Sequence, residues 1–271
     1  MIKNLIAWIL SWFKGEPTFP MFPNELKGWG WVNQWATNPE GLIDAIADKG
    51  CNATHIEYLL WGSLGLYDEQ NVTGRQWLAD SFGKLLRQAR RRGVFVTVNL
   101  TNYNVGNTKY PENGKIPLSK YDDAWFTRLL DGVIKIVDDC GMRDHVAIGA
   151  CSEWQGEKYE RWNQILFQRW SGYRLWNRNS RPSTAPAGFA IEYHPIKTDD
   201  YGPPNSYVVG DTGAFISAFG EFRGHVTNND GLKNYVETVQ AKGNGFVFYC
   251  FNDGDKGIDI EACSAIGRVT I

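Results

Sequence analysis

Apolar positions along this chain switch repeatedly between two periods, the 3.6-residue stripe of a helix and the short continuous run of a buried strand, with glycine at most of the switches. Lys27-Gly-Trp-Gly-Trp31 reads as a first strand. Pro39 to Lys49 carries a helical stripe of Leu42, Ile43, Ile46 and Ala47, and Gly50 stops it before a second strand within Asn52–Leu60. A helix over Gly74–Arg92 ends at Gly93, and the β-branched run Val94–Leu100 follows as strand three. Asp122–Cys140 predicts another helix, closed by Gly141, ahead of the apolar run His145–Ser152. A long helix is expected over Glu157–Asn177. Three runs then follow, Phe189–His194, Ser206–Gly210 and Phe215–Phe219, too closely spaced for full helices between them. A helix over Gly231–Lys242 and a final strand Phe246–Phe251 restore the alternation. Strands alternating with helices in this way predict parallel βα architecture: a single (β/α)8 TIM barrel with short or missing helices after strands 5 and 6.

Length fits that reading, since 271 residues suit one such barrel better than two small domains. The expected organisation is an apolar segment and Pro-rich lead over residues 1–23, followed by the barrel over 24–271. A formal net charge of −2 gives no general attraction to nucleic acid. The basic cluster Arg87–Arg92 is better placed as the last turn of a helix, where cations complement the dipole. Five scattered cysteines, mostly in apolar runs, suit buried thiols rather than a disulfide framework. With the four histidines they form no metal-ligating spacing, so neither metal nor organic cofactor is expected. Residues 1–13 resemble the charged start and apolar middle of a signal peptide but lack its small-residue cleavage site. A retained helix docked on the barrel, a protein partner or a membrane surface is the expectation, and an extracellular or surface-associated location would suit it.

Two of the strand-like runs end on a glutamate followed by an aromatic: Ser152-Glu153-Trp154 and Gly220-Glu221-Phe222. Barrels assemble their active sites at the C-terminal ends of strands, and two facing carboxyls are the minimum for cleaving a glycosidic bond. The plainer alternative is that either glutamate merely ends a strand in solvent or pairs with a cation such as Arg223. Twelve tryptophans fit sugar stacking and ordinary core packing alike.

Several segments, in order and spacing, resemble the cellulase-like glycoside hydrolases of clan A, particularly family 5. Gly50-Cys-Asn-Ala-Thr-His-Ile-Glu57 is similar to the family's strand-two run, Gly93-Val-Phe-Val-Thr-Val-Asn-Leu-Thr-Asn102 to its strand-three run, Ser152-Glu153-Trp154 to its Asn-Glu-Pro and Gly220-Glu221-Phe222 to its Gly-Glu-Phe-Gly. The resemblance spans about residues 27–255. It implies Glu153 as acid/base and Glu221 as nucleophile of a retaining hydrolase acting on a β-linked polysaccharide or oligosaccharide. Trp61, Asn102, Trp154 and Asn252 would line the mouth, and Tyr193-His194 resembles the family's strand-six positions. His55 and Glu57 alternate onto one face of strand two, where they can serve the pocket or form a satisfied core pair. The chain departs from the pattern at His55, Thr101 and Ser152, where the family carries Arg, His and Asn that orient the nucleophile and hold the sugar 2-hydroxyl. Tyr249-Cys250-Phe251 replaces a usual Trp. These departures keep a rival open, a non-catalytic glycan-binding or assembly protein on the same barrel.

Overall fold

Eight short strands, each too narrow to bury its own two faces, close on one another in chain order. The computed structural model describes residues 26–31, 38–56, 59, 72–102, 122–152, 157–176, 186, 188–193, 214–219 and 245–248. The strands are β1 Lys27–Trp31, β2 Ala53–Ile56, β3 Phe95–Asn102, β4 Val146–Ser152, β5 Tyr173–Trp176, β6 Ala190–Tyr193, β7 Ala214–Phe219 and β8 Gly245–Phe248. Every neighbouring pair is parallel, and β8 returns to β1 through Lys27–Phe246, Gly28–Val247 and Trp29–Phe248. The sheet is a closed barrel, as the alternating pattern predicts.

Helices α1 Pro39–Asp48, α2 Val72–Arg92, α3 Asp123–Asp139 and α4 Glu157–Arg169 fill the first four connections. Their ends follow local chemistry. The Asn38 side chain accepts from Gly41 N–H at 3.1 Å and that of Asp122 from Trp125 N–H at 2.7 Å, each satisfying an otherwise orphaned donor. Gly50, Gly93 and Gly141 follow α1, α2 and α3 with φ of +74°, +67° and +62°, as the sequence anticipates for helix stops. The basic cluster closes α2 and ties it to its neighbours: Arg91 pairs with Glu40, Arg92 with Asp44 and Asp48, and Arg90 donates to Cys140 O at the end of α3.

One sequence expectation needs correction. The helix expected to run to Asn177 stops at Arg169, and Tyr173–Trp176 is a barrel strand instead. The turn at Ser171-Gly172 breaks the helix, and a Cβ at Gly172 would lie 2.4 Å from the Trp170 ring. Arg174 gives the strand a misleading polar position; it is buried and donates to Phe167 O and Gly188 O, both at 3.3 Å. The run Ser206–Gly210, expected as a strand, lies outside the described residues; β6 pairs directly with β7.

Apolar residues form two layers. Outside the barrel, Val94, Val96, Val98 and Leu100 of the β3 segment and Val146, Ile148 and Ala150 of β4 pack with Phe126, Leu129, Leu130, Val133 and Val137 of α3 and with the other helices. Each large side chain so buried contributes about 1.5–3 kcal/mol. Inside, Leu26, Ala53, Phe95, Ala147, Leu175 and Ala190 form a smaller cluster with Tyr173, whose ring meets Phe95 edge-on at 5.5 Å.

Candidate active site

The barrel interior changes character along its strands. Side chains alternate along a strand, so Thr97, Asn99 and Thr101 follow Phe95 on the inward face of β3, and His55 follows Ala53 on β2. All four polar residues are buried. The floor of the barrel is therefore apolar and the interior above it polar, toward the C-terminal ends of the strands where barrels place their chemistry.

These polar groups are held by specific contacts. His55 Nδ1 lies 2.8 Å from Thr97 Oγ1, whose hydroxyl donates to Thr54 O at 3.2 Å. Thr101 donates its hydroxyl to Ala150 O at 2.9 Å. Asn99 leans across to β4 over Gly149, where a Cβ would sit 1.9 Å from Asn99 Oδ1 and 3.3 Å from Leu175 Cβ. Only a residue without a side chain permits that approach.

The described residues cover part of the expected site. His55 lies in the polar interior on the face of Ala53, and its ring meets Thr97. Asn102 ends β3 and pairs in register with Ser152, the fully buried last residue of β4. Tyr193 ends β6, paired with Ile216. Glu153, Glu221, Glu57, Trp61, Trp154, His194 and Asn252 lie outside the described residues. In sequence, Glu153 directly follows the end of β4 and Glu221 stands two residues beyond the end of β7. Thr97 and Asn99 escaped the sequence reading as site residues; the signal was the polar alternation Thr97, Asn99, Thr101 inside a strand otherwise read as buried.

The entry to α4, next in the chain after the Glu153 segment, is fixed by aromatics. Trp162 stacks on Phe126 at 4.7 Å and 6° and meets Tyr159 edge-on at 5.3 Å. Lys158 Nζ lies 4.8 Å from the Trp162 ring centre. Burial holds the Lys158 ammonium below its ordinary pKa, and burial pushes the Tyr159 phenol up. A cavity of about 380 Å³ lies elsewhere, on the outer wall between α4 residues such as Phe167 and Gln164 and the side chains of Trp176 and Phe189, so it is no part of the polar interior. Among the described residues no group of three or more His, Cys, Asp or Glu side chains could hold a metal ion.

No protein-family model matches the chain, and no curated protein matches it in sequence. Solved structures do match in fold. A GH5-4 broad-specificity endoglucanase from Clostridium longisporum superposes with a TM-score of 0.58 at 13% identity, covering 90% of this chain and 94% of that one. An endo-β-1,4-glucanase from Xanthomonas axonopodis pv. citri matches with a TM-score of 0.53 at 14% identity, over 90% and 98%. Endo-glycoceramidase II from Rhodococcus sp. matches with a TM-score of 0.50 at 15% identity, over 92% and 80%. The likeness to family 5 glycoside hydrolases is thus one of fold, extends over about nine-tenths of the chain, and is divergent in sequence.

Proposed function

We propose that this protein is a retaining glycoside hydrolase acting on a β-linked polysaccharide or oligosaccharide, with Glu153 as acid/base and Glu221 as nucleophile. One observation carries the reading: in a closed parallel barrel with a polar inner face, β4 ends at the residue before Glu153 and β7 ends two residues before Glu221. The fold shared with endoglucanases supports the same substrate class. In the first step the Glu221 carboxylate attacks the anomeric carbon, the glycosidic C–O bond breaks, and the leaving oxygen takes the Glu153 proton. In the second, Glu153 as carboxylate removes a proton from water, whose oxygen displaces Glu221 and restores both groups. His55, Trp61, Asn102, Trp154, Tyr193, His194 and Asn252 are the proposed substrate-binding set.

The test is turnover of a polysaccharide panel and of aryl glycosides. Glu221→Ala abolishes activity on every substrate. Glu153→Ala lowers it by roughly 10²–10⁴-fold on sugar leaving groups, spares activated aryl glycosides, and is rescued by azide with retained configuration. One finding favours the rival: Thr101 stands at the family's strand-three His position, and its hydroxyl is committed to Ala150 O. A wild-type protein that binds a glycan and cleaves none would establish the non-catalytic barrel.

A further inference from the structure

We infer that Thr97 is a positioning residue that fixes His55 as its Nδ1–H tautomer and so makes Nε2 the nitrogen His55 offers to the barrel interior. The argument starts from one hydrogen. The Thr97 hydroxyl lies between two partners, His55 Nδ1 at 2.8 Å and Thr54 O at 3.2 Å, and has a single proton to donate. Given to Nδ1, that proton would leave two oxygens 3.2 Å apart with no hydrogen between them in a buried site. Given to Thr54 O, it leaves the hydroxyl lone pair to accept from Nδ1–H, and one side chain then satisfies both neighbours. The Thr54 carbonyl is backbone and can only accept, so it sets the direction of the whole chain of bonds.

Burial makes the choice consequential. Thr54 and Thr97 are fully buried and His55 is 2% exposed, so no bulk water competes for Nδ1. The hydrogen bond at one ring nitrogen decides the state of the other. With Nδ1–H held by β3, the neutral ring can only accept at Nε2, and it donates there only after gaining a proton. Thr97 pairs with His55 in the β2–β3 register, so the relay is built into the sheet rather than into a loop.

The role of His55 in turnover rests on the glycosidase reading; its tautomer does not, and the experiment separates the two. The ring nitrogens of 15N-histidine-labelled protein are observed by NMR at a pH where His55 is neutral, with His55→Gln to assign the signals. The expected result is a protonated Nδ1 and an unprotonated Nε2 in the wild type and in Thr97→Ser, and a shift toward Nε2–H in Thr97→Val. In kinetics Thr97→Val loses roughly tenfold or more in kcat with KM little changed, and Thr97→Ser restores most of it. An Nε2–H wild type overturns the inference, and that single measurement decides it even if Thr97→Val does not fold. A Thr97→Val protein keeping the wild-type tautomer also overturns it. A changed tautomer with unchanged kcat in an active enzyme overturns the positioning role. If the wild type cleaves no glycan, the glycosidase reading fails and the tautomer is still decided by NMR.

Discussion

A missing methyl group at Gly149 lets the β3 and β4 sides of the barrel share one layer. Asn99 occupies the space where a Cβ would stand, and Leu175 closes it from β5. Gly149→Ala must displace a buried amide or move the strand, and overpacking of this kind costs about 1–3 kcal/mol. Urea denaturation should show that loss. Asn99→Ala in the same chain should recover part of it, because the clash involves that side chain. An additive double variant would mean that Asn99 does not fill the space above Gly149. The same scale shows what was legible in the sequence. Alternation puts His55 and Glu57 on one face of strand two but does not say which side that is, and the partner Thr97 lies 42 residues away, fixed only by the register of two strands.

Helices α3 and α4 are held by different means, and their variants should separate accordingly. Asp122 caps α3 through one bond to Trp125 N–H, so Asp122→Ala should cost about 0.5–2 kcal/mol. Trp162 is fully buried between the two helices, stacked on Phe126 and 5.8 Å from Trp125, so Trp162→Ala should cost about 3–5 kcal/mol. Urea midpoints with an unchanged m-value are the measurement, and a smaller loss for Trp162→Ala than for Asp122→Ala would contradict this ranking. Elements with a regular stripe and a glycine stop, such as α1 and α3, were legible to within a residue or two. The strand β5 was not. Its aromatic and charged residues continue the character of α4, and its buried Arg174 finds partners only once Phe167 and Gly188 are brought alongside.

Closure of the barrel belongs to the whole molecule, because β8 must return to β1 across almost the entire length of the chain. The order of helical and strand patterns made that architecture legible, while Glu153 and Glu221 fall beyond the strand ends, where no periodicity in the sequence fixes the placement of a side chain. Pairing of β1 begins at Lys27, so none of residues 1–13 takes part in the described sheet. These residues are apolar around Trp8 and Trp12, and we propose that they serve attachment, assembly or solubility rather than chemistry. Deleting them should leave a cooperative unfolding transition and any turnover in place while altering solubility or association. Truncation before Gly245 should instead remove β8, leave β1 and β7 with open edges, and give an aggregating chain without a cooperative transition. Loss of turnover in a folded, equally soluble protein lacking residues 1–13 would show that the segment contributes to the site itself.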